Sequence, residues 1–369
     1  MGVIKKKKIA TKGKKFNLNN IVLGGVSTLE KALFAKYLSV IIKAGLTLVE
    51  ALDISRDQAK GKFKRILNDV FDYVSRGHML AEALERHSKI FPNIYINLIK
   101  AGEASGTLAE NLKHLSDQVE KDLVIRRKVK SAMMYPVFVL GIAAVLGFAM
   151  AIFVLPKITK LFKSFDIELP LSTRILLWLA DWFSNYGWQT AIASVGLVIL
   201  LGWFFQLKAI KPYTHPIILR LPVMGKLSHN VNLARFCRTL GVTLRSGLTI
   251  DEGIRIASDV VDNYAYKKAL NEVVNNVKTG KSLAESLQGH EFLFPRITTR
   301  MAKVGETTGS LEEVLIYLAE FYEAEVDNTV KNLSTVLEPI LLVIIGAVVG
   351  GIALSIITPI YQLSGSIGK

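Results

Sequence analysis

The groups best placed for chemistry in this 369-residue chain are a Lys278-Thr-Gly-Lys-Ser282 segment, six histidines, one cysteine, and two glutamates in matching glycine loops. The Gly-Lys-Ser invites a phosphate-loop reading, in which backbone N–H groups cradle phosphates and the lysine meets their charge. That motif needs a glycine five residues before Gly280, and position 275 is asparagine. It also needs a preceding strand, whereas this stretch ends a helical pattern. No H-E-x-x-H, G-x-S-x-G or GxGxxG occurs, and the histidines (78, 87, 114, 215, 229, 290) are scattered. Cys237 alone supports neither a disulfide framework nor a multi-thiolate metal site, and reads as a small packing residue. Neither a catalytic group, a cofactor site nor a metal site is expected.

Two loops are more distinctive, Gly102-Glu103-x-x-Gly106 and Gly305-Glu306-x-x-Gly309. As helix-to-helix turns they need only their glycines. Glu103 and Glu306 are not required by the turn, which leaves open a partner- or dimer-contacting role beside the structural one. His87 and His290 stand at matched positions before Phe-Pro pairs, which favours a repeated structural contact over metal ligation. Glu338 stands where the chain meets the third apolar run, and ionisable groups there either mark function or are simply hydrated. Gly346-x-x-x-Gly350 offers a close-packing face for another helix, within the chain or across a homodimer seam.

The elements that must position these residues emerge from charge and hydropathy. Half the residues are hydrophobic, charged residues fall to 21%, and mean hydropathy is +0.35, too apolar for an ordinary soluble surface. Lys+Arg number 46 against 31 Asp+Glu, a net +15, but residues 1–16 carry seven lysines and no acid. A nucleic-acid binder would concentrate its cations on a folded face, so nucleic acid is not an expected partner. The tail reads as solvated or as lying against anionic lipid.

Three uncharged runs are long enough to cross a bilayer: Val137 to Leu155, a stretch within Trp182 to Leu207, and Ile340 to Ile360. Arg126, Arg127, Lys128 and Lys130 precede the first, and Lys208, Lys211, Arg220 and Lys226 follow the second, with a nearly neutral loop between. Basic flanks stay cytoplasmic. The N-terminus and both polar regions are therefore expected inside and the C-terminus outside.

The chain also repeats itself at an offset of 202–203 residues. Lys43–Ile54 aligns with Arg245–Ile256, Gly77–Pro92 with Gly280–Pro295, and Gly102–Leu112 with Gly305–Leu315. Each copy reads as short helices broken by glycine. Capping boxes are expected at Ser27/Glu30, Thr47/Glu50, Thr107/Glu110, Thr249/Glu252, Ser282/Glu285 and Ser310/Glu313. The fold class expected is an all-α integral membrane protein, with two repeated six-helix cytoplasmic bundle domains and three transmembrane helices. The boundaries are a basic tail 1–27, domain 28–135, span 136–156, periplasmic loop 157–187, span 188–207, domain 208–338, span 339–361 and periplasmic tail 362–369. A parallel repeat of this kind needs its middle span only to return the chain.

The duplicated G-L-T-x-x-E and G-E-x-x-G-[TS]-L segments, the Phe-Pro pairs and the span order resemble the inner-membrane platform proteins of type IV pilus and type II secretion machines, the PilC/GspF family. The resemblance covers roughly residues 28–365. It implies two cytoplasmic six-helix domains, a homo-oligomer, and a non-enzymatic role. The implied partners are a cytoplasmic assembly ATPase, pilin or pseudopilin, and inner-membrane alignment proteins, and the implied mechanism passes ATPase motion to the fibre. A transporter or channel built on the repeat is the competing reading, although the apolar runs offer no charged pathway. A membrane enzyme is the third, without a constellation to support it.

Overall fold

The computed structural model describes residues 25–154, 171–207, 209–222 and 224–367, which are helical throughout apart from turns, with no strand among them. The lysine tail, the Leu155-Pro156 junction, the first part of the expected loop, Lys208 and Lys369 lie outside the described residues. The chain divides into two compact units, Met1–Ser116 and Asp117–Lys369.

In the first unit, α1 (Thr28–Lys43), α2 (Leu48–Gln58), α3 (Gly61–Ser75), α4 (Leu80–Glu85) and α5 (Asn93–Ser105) follow one another through tight turns into the start of α6 (Leu108–Ala149). Capping boxes at Ser27/Glu30 and Thr47/Glu50 start α1 and α2, each hydroxyl accepting from the glutamate N–H and each carboxylate accepting in return. Thr107 departs from that expectation. Its hydroxyl donates to Ser105 Oγ at 2.7 Å across the left-handed Gly106, because Ser105 itself donates to the Ala101 carbonyl, and the Glu110 N–H bonds the Thr107 carbonyl at 3.1 Å instead. Ser310 does the same with Thr308 at 2.7 Å. Phe34, Phe63 and Phe91 meet at the centre, with ring centroids 5.9 to 6.3 Å apart, and all three are buried.

The second unit holds the rest of α6, a π-helical turn at Met150–Val154, α7 (Leu171–Gln206), α8 (Lys211–Arg220), α9 (Met224–Arg245), α10 (Ile250–Val260), α11 (Tyr264–Lys278), α12 (Leu283–Gln288), α13 (Arg296–Thr308) and α14 (Leu311–Ile367). Helices α10 to α14 begin 202 or 203 residues after α2 to α6. The central rings repeat too: Phe236, Tyr266 and Phe294 correspond to the first unit's trio, with Phe294 at 5.4 and 5.5 Å from the other two. At the Gly-Lys-Ser, Gly280 takes the left-handed conformation and Ser282 caps α12 by accepting from Glu285 N–H at 3.1 Å, which leaves it a turn. Residues 171–187, expected within a loop, form the first half of α7. Non-helical angles at Tyr186 separate them from the apolar half.

Among the described residues two helices are long and apolar enough to cross a membrane, the Leu108–Ala149 helix and the Asn185–Phe204 part of α7, and few side chains in their apolar windows are buried. A soluble core helix would hide such residues, whereas Val137, Phe138, Trp188 and Ile192 all stand exposed. The third run, Ile340 to Ile360, lies within α14, and many of its side chains are outside the described set.

Cys237 lies fully buried on α9, and burial drives its thiol well above the ordinary range. It is therefore expected to resist maleimide labelling in the folded protein and to react within minutes once denaturant is added, as mass spectrometry would read.

Candidate functional site

The glycine–glutamate loops turn out to use all three of their fixed positions. Gly102 and Gly305 sit where α5 meets α6 and α13 meets α14: a Cβ on either would come within 2.9 and 2.8 Å of the Cα of Leu108 and Leu311. Gly106 and Gly309 end their helices with φ of +73° and +71°, a conformation that disfavours any side chain. Between them, the Glu103 carboxylate reaches back to accept from the N–H of Leu80 at 2.6 Å and of Ala81 at 2.9 Å. Glu306 accepts from Leu283 at 2.5 Å and Ala284 at 3.0 Å. Each glutamate thus satisfies the free N–H groups that open a six-residue helix, α4 or α12, where a negative charge also meets the helix dipole. Helices that short do not hold without tertiary anchors.

His87 and His290 repeat a contact of the same kind. His87 Nε2 lies 2.8 Å from Asp69, and His290 Nε2 3.5 Å from Glu272, the acid at the matched position of α11. Among the described residues no group of three or more His, Cys, Asp or Glu is arranged to hold a metal ion. Gly346 and Gly350 face open space within the chain, since a Cβ on either meets nothing within 4 Å. Glu338 lies on α14 with its side chain outside the described set.

The second unit contains an ionic cluster that the sequence did not announce. Arg235 on α9 is only 4% exposed, and it pairs at once with Asp122 of α6 at 2.7 Å and with Asp262 at the α10–α11 turn. Arg126 joins the same two acids, 2.7 Å from Asp122. One turn along α9, Arg238 bonds Glu323 of α14, which Lys121 of α6 approaches at 3.5 Å. Lys128 reaches Asp327 at 2.6 Å, and Gln118 donates to Thr239 at 3.0 Å. Residues 118–128 of α6 are therefore bound to α9 and α14 just before α6 becomes apolar. Burial raises the Asp262 carboxyl, but Arg235, with help from Arg126 and Lys267, outweighs it and holds the group below the usual carboxylate range.

A helical chain whose polar units run directly into exposed apolar helices is an all-α membrane protein. The model of the family described as Type II secretion system (T2SS), protein F matches it twice, over residues 34–156 and 236–359. The chain belongs to that family. It is 34% identical over 337 residues to the Type IV pilus assembly protein PilC of Thermus thermophilus, covering 91% of this chain and 83% of that protein. It is 30% identical to the protein of the same name from Pseudomonas aeruginosa, covering 93% and 92%. The Type II secretion system protein F of Pseudomonas aeruginosa is 31% identical, covering 93% and 85%. The two matched segments are offset by 202 residues at their starts and 203 at their ends, the spacing of the helices and of the aromatic trios.

Removing a glutamate cap should harm α4 more than α12. Glu103→Ala leaves α4 without any side-chain cap, because Met79 supplies none, whereas Glu306→Ala leaves Ser282 in place. Each is expected to destabilise its unit by about 1–3 kcal/mol, with the larger drop in Tm for Glu103→Ala in detergent-solubilised protein. Arg235→Ala should cost about 1–3 kcal/mol, because Asp122 and Asp262 lose their buried partner and keep only the half-exposed Arg126. Because the Asp262 pKa is lower in the folded state, its contribution is present at neutral pH. It is lost as pH falls from the ordinary carboxylate value, about 4, toward the folded one. The stability gap between wild type and Arg235→Ala should therefore narrow in acid, as a Tm series against pH would measure.

Proposed function

We propose that this chain is a non-enzymatic inner-membrane platform that couples a cytoplasmic assembly ATPase to the insertion of pilin or pseudopilin subunits into a growing fibre. On this reading three spans place both polar domains, each a repeated six-helix bundle, in the cytoplasm and the short C-terminus in the periplasm. The observation that carries the mechanical part is the continuity of α6 and α14. The first runs 42 residues and the second 57 from polar unit into apolar helix, α6 staying helical through Pro136, where one backbone hydrogen bond is lost. At 1.5 Å per residue these are rods of about 63 and 86 Å. A displacement of the second cytoplasmic domain would reach both spans directly, because the Arg235 and Arg238 ion pairs bind α6 and α14 to α9.

The relatives named for pilus assembly and for type II secretion support the biological setting. Partners on this reading are the ATPase, the fibre subunit, alignment proteins and a second copy of the chain. The outer faces of the Gly102–Gly106 and Gly305–Gly309 loops, Glu338 and the open Gly346–Gly350 stripe are the proposed contact points. Since the carboxylates of Glu103 and Glu306 are occupied by helix caps, their loops would meet a partner through the shape those caps hold.

Deleting the gene is expected to abolish surface fibres or secreted substrate, with full rescue by the wild-type gene. Inserting three glycines after Ser334 should leave membrane insertion intact and still fail to rescue, as electron microscopy and secretion assays would read. Retained fibres and secretion together with a lost solute flux would favour the transporter reading and sink this one.

A further inference from the structure

A cavity of about 540 Å³ opens beside α6 just before its apolar stretch, within the range of small-molecule sites. Ile125, Val129 and Met133 of α6, Ile218 of α8, and Leu227 and Val231 of α9 form its walls, which are mostly apolar. Met133 precedes the first apolar run at Val137 by one helical turn. On the other side, α8 begins five residues after the end of α7. The cavity thus lies where the chain leaves the membrane from two helices.

Its rim is cationic. Arg126, Lys130 and Arg235 line it with one acid, Asp262; the two arginines are met by Asp262 and by Asp122 behind them, so the charge left over is that of Lys130, with the half-exposed Arg126 beside it. Lys130 is exposed and has no ion pair among the described residues. His215 adds a neutral donor: its Nδ1 accepts from the Tyr264 N–H at 2.9 Å, which leaves the proton on Nε2. Burial and the nearby Lys211 lower its pKa, so the ring stays neutral at cytoplasmic pH.

We infer that this cavity binds one anionic glycerophospholipid, with an acyl segment against the apolar walls and its phosphate at Lys130 and Arg126. An apolar chamber asks for a hydrocarbon, the rim asks for an anion, and the adjoining bilayer supplies a molecule that is both. Basic pockets on the cytoplasmic side of membrane helices recognise lipid headgroups by the same charge. Inorganic phosphate shares the headgroup's chemistry but leaves the walls bare. This inference rests on the membrane placement of α6 and not on the assembly role, so it can fail while that role stands.

The full chain, delipidated in neutral detergent, would be titrated with dioleoyl phosphatidylglycerol, dioleoyl phosphatidylcholine or inorganic phosphate. Bound lipid is counted by native mass spectrometry and protection is read as a rise in Tm. One phosphatidylglycerol per chain is expected, with at least fivefold preference over phosphatidylcholine and no protection by phosphate alone. Lys130→Gln, an exposed change, should cut that preference about fivefold. Ser228→Phe, which fills the chamber from α9, should lose both lipids, and each variant should match the wild-type Tm when no lipid is added. Equal binding of the two lipids, protection by phosphate alone, or unchanged retention in Lys130→Gln would each overturn the inference.

Discussion

A buried guanidinium cannot be left without acids, and that constraint organises the second unit. Arg235 is nearly sealed from water, so the chain must bring Asp122 and Asp262 to it from 113 and 27 residues away. Meeting that demand fixes α6 beside α9 and pins the α10–α11 turn. Arg238 and Glu323 extend the same logic to α14. Such a cluster is costly to desolvate and contributes little net stability compared with an apolar core. What it fixes is register, since a slip of one residue along α6 would rotate Asp122 away by about 100° and strand a charge. Around it the apolar side chains, centred on Phe236, Tyr266 and Phe294, supply the bulk of the driving force.

The two copies of the repeat show what duplication preserved and what it released. The aromatic trio, the histidine–acid contact and the glutamate cap recur with the same partners. The caps differ in redundancy: α12 has Ser282 and Glu306, α4 only Glu103. The glycine–glutamate loop is best understood as one device. Its first glycine admits the next helix, its last ends the present one, and the glutamate between them staples a third.

Local features were the legible ones. The boxes at Thr47/Glu50 and Ser27/Glu30 and the failure of the Gly-Lys-Ser as a phosphate loop could be read from spacing, because each depends on neighbouring residues, and the duplication could be read because whole strings of residues recur in order. The apolar runs declared a membrane protein because each is continuous in the chain. Contacts across long loops left no such trace. Glu103 meets N–H groups 22 and 23 residues upstream, and nothing in a Gly-Glu-x-x-Gly string names that partner. Arg235 was equally silent, since a buried arginine is spelled like an exposed one. Thr107 and Ser310 looked like caps by sequence, but their hydroxyls turn back to donate to Ser105 and Thr308.

The unbroken course of α14 also fixes a rotational phase between its two ends. At about 100° per residue, Gly346 lies roughly 140° and Gly350 roughly 180° around the helix from Glu323. The side held by α9 and the glycine stripe therefore look in nearly opposite directions. Clamping one leaves the other free, and any twist of the polar unit about this axis would sweep the stripe through the same angle. A single inserted residue between them would lengthen the rod by only about 1.5 Å but re-aim the stripe by about 100°. In such a helix, direction is far more sensitive to sequence length than reach is.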